Sequence, residues 1–137
     1  MSTQYKLNAV NTIDNLALIG EFLEKSLKAH NVDAAAIYEI QTAVDEAAAN
    51  VILYGFPDGR QDDIEIQCTV TDTRVTVSIK DTGAPYDPTS APAPDLTSDI
   101  ENRRVGGLGV HFMRELMDEL DYECKDHTET LTMVKYL

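Results

Sequence analysis

The 137-residue chain has no tryptophan, only two cysteines, and 11 basic residues against 24 acidic ones. Each scarcity excludes something. Cys68 and Cys124 cannot supply the framework of a disulfide-rich secreted domain, and no metal-like spacing surrounds either. Both fall in strand-like segments and are expected to be reduced, buried thiols, with a pairing between them left open. The shortage of Lys and Arg leaves a net charge of −13, a surface that repels a phosphate backbone or an anionic membrane. No basic stripe interleaved with aromatics offsets it. A basic protein partner is attracted by such a field, and a nucleotide needs local cations or Mg²⁺ to enter it. Long apolar runs are missing too: none approaches the roughly 20 residues of a membrane span, and the start, Met1 to Lys6, has no apolar signal region. The expectation is a soluble, cytoplasmic protein forming a single domain over residues 1–137, long enough to bury its own core.

What is present falls into readable segments. Gln4-Tyr5-Lys6-Leu7-Asn8-Ala9-Val10 alternates like a half-buried edge strand. Asn11 or Thr12 then offers a helix N-cap, and Ile13, Leu16, Ile19, Leu23 and Leu27 recur at helical spacing to about His30. Asn31 suits the turn that follows. A second helix is predicted from Asp33 as N-cap to about Leu53. Ile37, Ile40, Val44, Ala48 and Val51 share one side of it, and Glu39, Glu46 and Asn50 lie roughly opposite. Small Ala43, Ala47 and Ala49 stand beside the polar residues. Tyr54 to Arg60 is dense in turn residues. Ile64, Ile66, Cys68 and Val70 alternate over one strand and Val75, Val77 and Ile79 over the next, joined as a hairpin through Asp72-Thr73.

Residues 86–104 carry Pro88, Pro92 and Pro94, which forbid a long regular element. A loop of about 20 residues inside a compact domain is often a lid or binding loop. Helical spacing returns from Leu108 to about Leu120, with Phe112, Leu116 and Leu120 as predicted core positions. Two strands close the chain, Asp121–Asp126 and Thr130–Tyr136. The order predicts an α+β two-layer sandwich, with helices on one face of a mostly antiparallel, mixed sheet.

Three stretches can carry chemistry. Glu46 and Asn50 are one helical turn apart and project from one face, an acid and an amide able to serve one bound group. Alone, the pair also reads as a solvated helix face. Asp81-Thr82-Gly83 follows a buried strand, so Asp81 can accept hydrogen bonds from an exocyclic amine while Gly83 lets a planar ring approach. An ordinary Asp-x-Gly turn has the same letters. Gly106-Gly107-Leu108-Gly109 stands between loop and helix, where free N–H groups can hold phosphate, or where glycines merely give flexibility. Arg103 and Arg104 precede it. The three histidines have no flanking features of a phospho-acceptor, and Phe22, Phe56 and Phe112 read as packing residues.

Taken in order, these stretches resemble the GHKL (Bergerat-fold) ATPase and kinase superfamily across essentially the whole chain. Glu46-x-x-x-Asn50 looks like its N box, Asp81-x-Gly83-x-Pro85 its first glycine box, and Gly107-x-Gly109, introduced by Gly106, its second. The form Glu-Ala-x-x-Asn and the two-helix opening look closest to the small anti-sigma factor serine/threonine-protein kinases. The resemblance implies ATP and Mg²⁺ as cofactors, with 86–104 as an ATP lid. It implies that Asn50 coordinates Mg²⁺ and that Glu46 is the base toward the attacking hydroxyl. Asp81 would recognise the adenine amine, Gly83 admit the ring, and Gly106, Gly107, Leu108 and Gly109 contact phosphates, with Arg104 on the γ-phosphate. The implied activity is phosphorylation of a small anti-sigma factor antagonist in a partner-switching system, with a sigma factor as a further partner and a homodimer allowed. The alternative is an ATP-binding regulatory module that sequesters a partner without transferring phosphate.

Overall fold

In the computed structural model, residues 2–90 and 107–137 are described. The elements run β1 (Thr3–Val10), α1 (Asn15–Lys28), α2 (Ala34–Tyr54), β2 (Asp63–Val70), β3 (Arg74–Asp81), a short 3-10 turn at Pro88–Ser90, α3 (Gly107–Leu116), β4 (Glu119–Lys125) and β5 (Thr128–Tyr136). The strands form one sheet in the order β1-β2-β3-β5-β4, and all four pairings are antiparallel. The α+β architecture is the expected one, with no parallel pair among the described strands.

Period-two alternation builds the core. Ile66 pairs with Ile79, Cys68 with Val77 and Val70 with Val75 across β2 and β3. Val77 then meets Met133 and Ile79 meets Leu131 on β5. Successive side chains alternate between the two faces, so these residues share the face covered by the helices, while Gln67, Thr76 and Ser78 take the other. Ile19, Leu23 and Leu27 of α1 and Ile37, Ile40 and Val44 of α2 pack down on that face. Ala43, Ala47 and Ala48 are also buried, so the apolar face of α2 is wider than a single stripe. Gln41 ties the two helices by donating to the Gly20 carbonyl at 2.9 Å.

Several local expectations change. Helix α1 begins at Asn15, because Asn11 is used elsewhere: its side chain donates to the Arg60 carbonyl and accepts from the Asp62 amide, at 3.0 and 3.1 Å. Ile13 is left in the turn, exposed. Asn31 adopts the left-handed conformation after α1 (φ 56°), as its side chain permits. Helix α3 buries Val110 and Met113, with Met117 just beyond its end, while of the predicted set Leu116, and Leu120 in β4, pack partly buried against the core. Phe112 is exposed. Both sets have helical spacing, and the flexible methionines fill the space above the sheet. Cys68 is buried, its thiol pushed up to about 12 by burial, but Cys124 is exposed on edge strand β4. Asp126 and His127, both at positive φ, make the tight turn into β5.

Candidate functional site

The helix-facing ladder of β3 and β5 ends on a different chemistry. Two residues beyond Ile79 comes Asp81, and its partner across the ladder is Glu129. Period two therefore places both carboxyl groups on the core side, and both are buried. They stand at the floor of a cleft of about 330 Å³ between the C-terminal half of α2, the sheet end, the segment after β3, and α3. Its lining includes Asn50, Tyr54, Asp81, Tyr86, Met113 and Glu129. A concave, mainly apolar space with a few polar groups converging on it is the usual form of a small-ligand site.

Backbone contacts hold α2 against the end of β3. The Ala84 amide donates to the Gly55 carbonyl at 2.6 Å, joining the residue after α2 to the Asp81–Ala84 turn. A Cβ on Gly83 would lie 2.6 Å from that same carbonyl oxygen, a clash with backbone that cannot swing aside. Gly83 is thus required by a close approach of two backbones. Its amide donates to Asp81 Oδ1 at 2.8 Å. From the other side, the Thr82 hydroxyl donates to Asp62 at 2.5 Å and Arg60 donates to the Thr82 carbonyl at 2.7 Å. The Thr82 and Asp63 donors, with a lesser help from Arg60, hold the Asp62 carboxyl below its ordinary range against an opposing desolvation.

Electrostatically the cleft is unusual in having no basic side chain among its described lining residues. Burial raises the Asp81 carboxyl to about 6, against the lowering effect of the Gly83 amide. Burial, and then the neighbouring Asp81, raises Glu129 to about 8, opposed by a hydrogen bond from the Tyr86 amide. Desolvation and like charge both disfavour the ionised forms.

The residues singled out from sequence are distributed unequally. Asn50 and Asp81 are brought to one cleft. Glu46, one turn earlier on α2, is half-buried and is not among the cleft's described lining residues. Gly83 supports the wall as described. Gly107, Leu108 and Gly109 form the first turn of α3, which borders the cleft further along through Met113. Arg104, Gly106 and most of the 86–104 segment lie outside the described residues. Its described part reaches Pro88–Ser90, where Arg114 donates to the Pro88 and Thr89 carbonyls at 3.0 and 2.5 Å.

Two participants were missed: Gly55, whose carbonyl receives the turn, and Glu129. The alternation of Glu129, Leu131 and Met133 marks Glu129 as inward-facing, but only the β3–β5 pairing sets it beside Asp81.

The cleft fits a nucleotide with Mg²⁺ in one specific respect. The Asn50 side-chain nitrogen is buried without a hydrogen-bond partner among the described residues. The two ends of a side-chain amide are interchangeable in such structures, so Asn50 can present its oxygen, a ligand that Mg²⁺ accepts. No cluster of three or more His, Cys, Asp or Glu able to hold a metal occurs among the described residues. Were Mg²⁺ to bind here, Asn50 would supply one oxygen, with ligand oxygens and water completing its shell.

Comparison with known proteins agrees with this geometry. The chain is 31% identical over 99 residues to a serine/threonine-protein kinase, BtrW, of Bordetella bronchiseptica, covering 72% of this chain and 70% of that one. It is 32% identical over 99 residues to an anti-sigma F factor of Clostridium novyi, covering 72% and 69%. Among solved structures, a Mycobacterium tuberculosis chain with RsbU and RsbW domains superposes with a TM-score of 0.71 at 16% identity, over 97% of this chain. The match spans only 32% of that longer chain. The SiaB-SiaC complex of Pseudomonas aeruginosa superposes with a TM-score of 0.65 at 14% identity, over 97% of this chain and 88% of the other. Those two likenesses concern the fold. The profile of the histidine kinase-like ATPase domain matches residues 9–135, nearly the whole sequence, and the chain belongs to that family.

Proposed function

We propose that the chain is an ATP- and Mg²⁺-dependent protein serine/threonine kinase of the anti-sigma factor type, phosphorylating a small antagonist protein in a partner-switching system. The observation that carries the reading is the convergence of Asn50 and buried Asp81 on one cleft walled by the close Gly55–Gly83 approach. Asp81 is suited to accept a hydrogen bond from the adenine amine, and the glycine wall admits a flat ring. Asn50 would hold the Mg²⁺ that, when bound, neutralises phosphate charge. Phosphoryl transfer asks the protein mainly for positioning and charge neutralisation. Glu46 would orient the incoming hydroxyl and take its proton, and the Gly107–Gly109 turn would supply amide donors to phosphates. Arg104 and Gly106 are assigned to the same phosphate end. The relatives' names, a serine/threonine-protein kinase and an anti-sigma F factor, support the partner-switching role.

A second reading, an ATP-binding module that sequesters its partner without transferring phosphate, is favoured by one observation: Glu46 does not line the described cleft. Incubation with labelled ATP, Mg²⁺ and antagonist proteins encoded in the same genome tests the two. Transfer of label that is lost in Glu46→Gln supports the kinase. Binding of ATP and partner with no transfer supports the module. No thermal shift at millimolar Mg-ATP, where even weak native-state binding raises stability, overturns both.

A further inference from the structure

The floor of the cleft carries two acids where recognition of one amine needs a single acceptor. Asp81 and Glu129 face each other across the β3–β5 ladder, both are buried, and both line the cleft. They are not equivalent. Asp81 receives the Gly83 amide on Oδ1, a bond that favours its ionised form. Glu129 receives the Tyr86 amide, yet its Oε2 is buried without a partner among the described residues. A carboxylate oxygen left bare at that depth is expensive, whereas a carboxylic acid O–H there becomes a donor awaiting an acceptor.

No cation among the described lining residues relieves the pair. The titratable groups around Glu129 are Asp81 on β3 and Tyr122 on β4, with Cys124 opposite Glu129 on the β4–β5 ladder and Asp87 beside Tyr122; α2 contributes the neutral amide of Asn50 and the Tyr54 phenol to the cleft, and the segment after β3 contributes Tyr86. Among the described residues, what can neutralise the pair is a proton that it holds itself. One carboxylate beside one carboxylic acid is an acceptor beside a donor. That is the complement of adenine's edge, where the exocyclic amine donates and the adjoining ring nitrogen, N1, accepts.

We propose that Glu129 is a second base-recognition residue, donating its carboxylic acid proton to adenine N1 while the Asp81 carboxylate accepts from the amine. The proposal rests on the nucleotide reading of the cleft and adds to it a residue and a protonation state. Nucleotide binding then requires Glu129 to be protonated, and affinity falls once that proton is lost. The direction agrees with the raised titration of Glu129, to about 8.

Calorimetric titration of the full chain with ADP from pH 6.5 to 9.5 tests it. Above about pH 8 the wild-type affinity is expected to fall, approaching about tenfold per pH unit. In Glu129→Gln the amide donates at every pH, and the fall disappears. With 1-deaza-ADP, which carries C–H in place of N1, the wild type is expected to bind about tenfold more weakly at pH 7 and without the slope, the value of one hydrogen bond to a neutral donor. A flat wild-type profile, a slope that persists in Glu129→Gln, or equal binding of ADP and 1-deaza-ADP overturns the role of Glu129 and leaves the nucleotide reading standing. No ADP binding at any pH overturns both.

Discussion

At its sheet end the cleft is made by paired strands: Asp81 and Glu129 share a rung, and the Gly55–Gly83 contact locks the adjoining wall. At its helix end it is made by side chains of single helices, Asn50 on α2 and Met113 on α3, with Glu46 standing one turn away. A ladder fixes two residues relative to each other through backbone hydrogen bonds on both strands. A helix fixes only the spacing along itself, and what its far turns face depends on what packs over them. The ladder thus fixes the sheet end on its own, while what Glu46 faces depends on what packs over its turn of α2.

The largest expected effect tests the helix end. Glu46→Gln should lower phosphoryl transfer to an antagonist by about 10²- to 10⁴-fold, the usual contribution of a general base, without removing the ATP-induced thermal shift. Equal transfer rates in the two proteins would assign Glu46 to the helix surface and nothing more. At the sheet end, Gly83→Val places a branched side chain against the Gly55 carbonyl and should destabilise the fold by about 1–3 kcal/mol, read from urea unfolding. An unchanged midpoint would mean that the two backbones can separate freely.

The acid pair sharpens the comparison through pH. Asp81 and Glu129 both hold protons more tightly folded than unfolded, with folded values of about 6 and about 8. Their favourable contribution is full below the unfolded carboxyl range, near pH 4, and is lost as pH rises through the folded values. The ligand-free protein should therefore lose on the order of 2 kcal/mol between pH 6 and 8.5, and Glu129→Gln should lose much less. A stability profile that is level over this window, measured by denaturant unfolding, would remove the charge conflict from the floor of the cleft.

On α3 a large effect and the smallest one stand on neighbouring residues. Met113→Ala opens the core and the cleft together and should cost about 2–5 kcal/mol in a rigid site, less where α3 can settle. Phe112→Ala, two-fifths exposed at 43%, should stay within about 0.5 kcal/mol. The reverse order of the two would restore the core face read from sequence.

Why some of this was legible follows from range. Glu46 and Asn50 could be singled out as candidates because helical spacing is a local property. Asp81 could be singled out because a strand ending in Asp-x-Gly is local as well. Phe112 was misread as core because Val110, Met113 and Met117 and Phe112, Leu116 and Leu120 are both spaced for a helix; which of them lies deepest depends on the sheet beneath. Ile13 fell outside α1 because Asn11 bonds to residues near position 60, a contact that nothing in the helix itself announces.

By itself the sequence determined the element order, the alternating strands and the three chemical stretches, since each depends on residues within a turn or a strand of one another. Tertiary structure decided that β5 lies between β3 and β4, and hence that Glu129 meets Asp81. It also decided that the end of α2 touches the turn after β3 through two glycines. Those contacts join residues 48 and 28 positions apart, the first brought together by strand pairing and the second by packing of α2 against the sheet end.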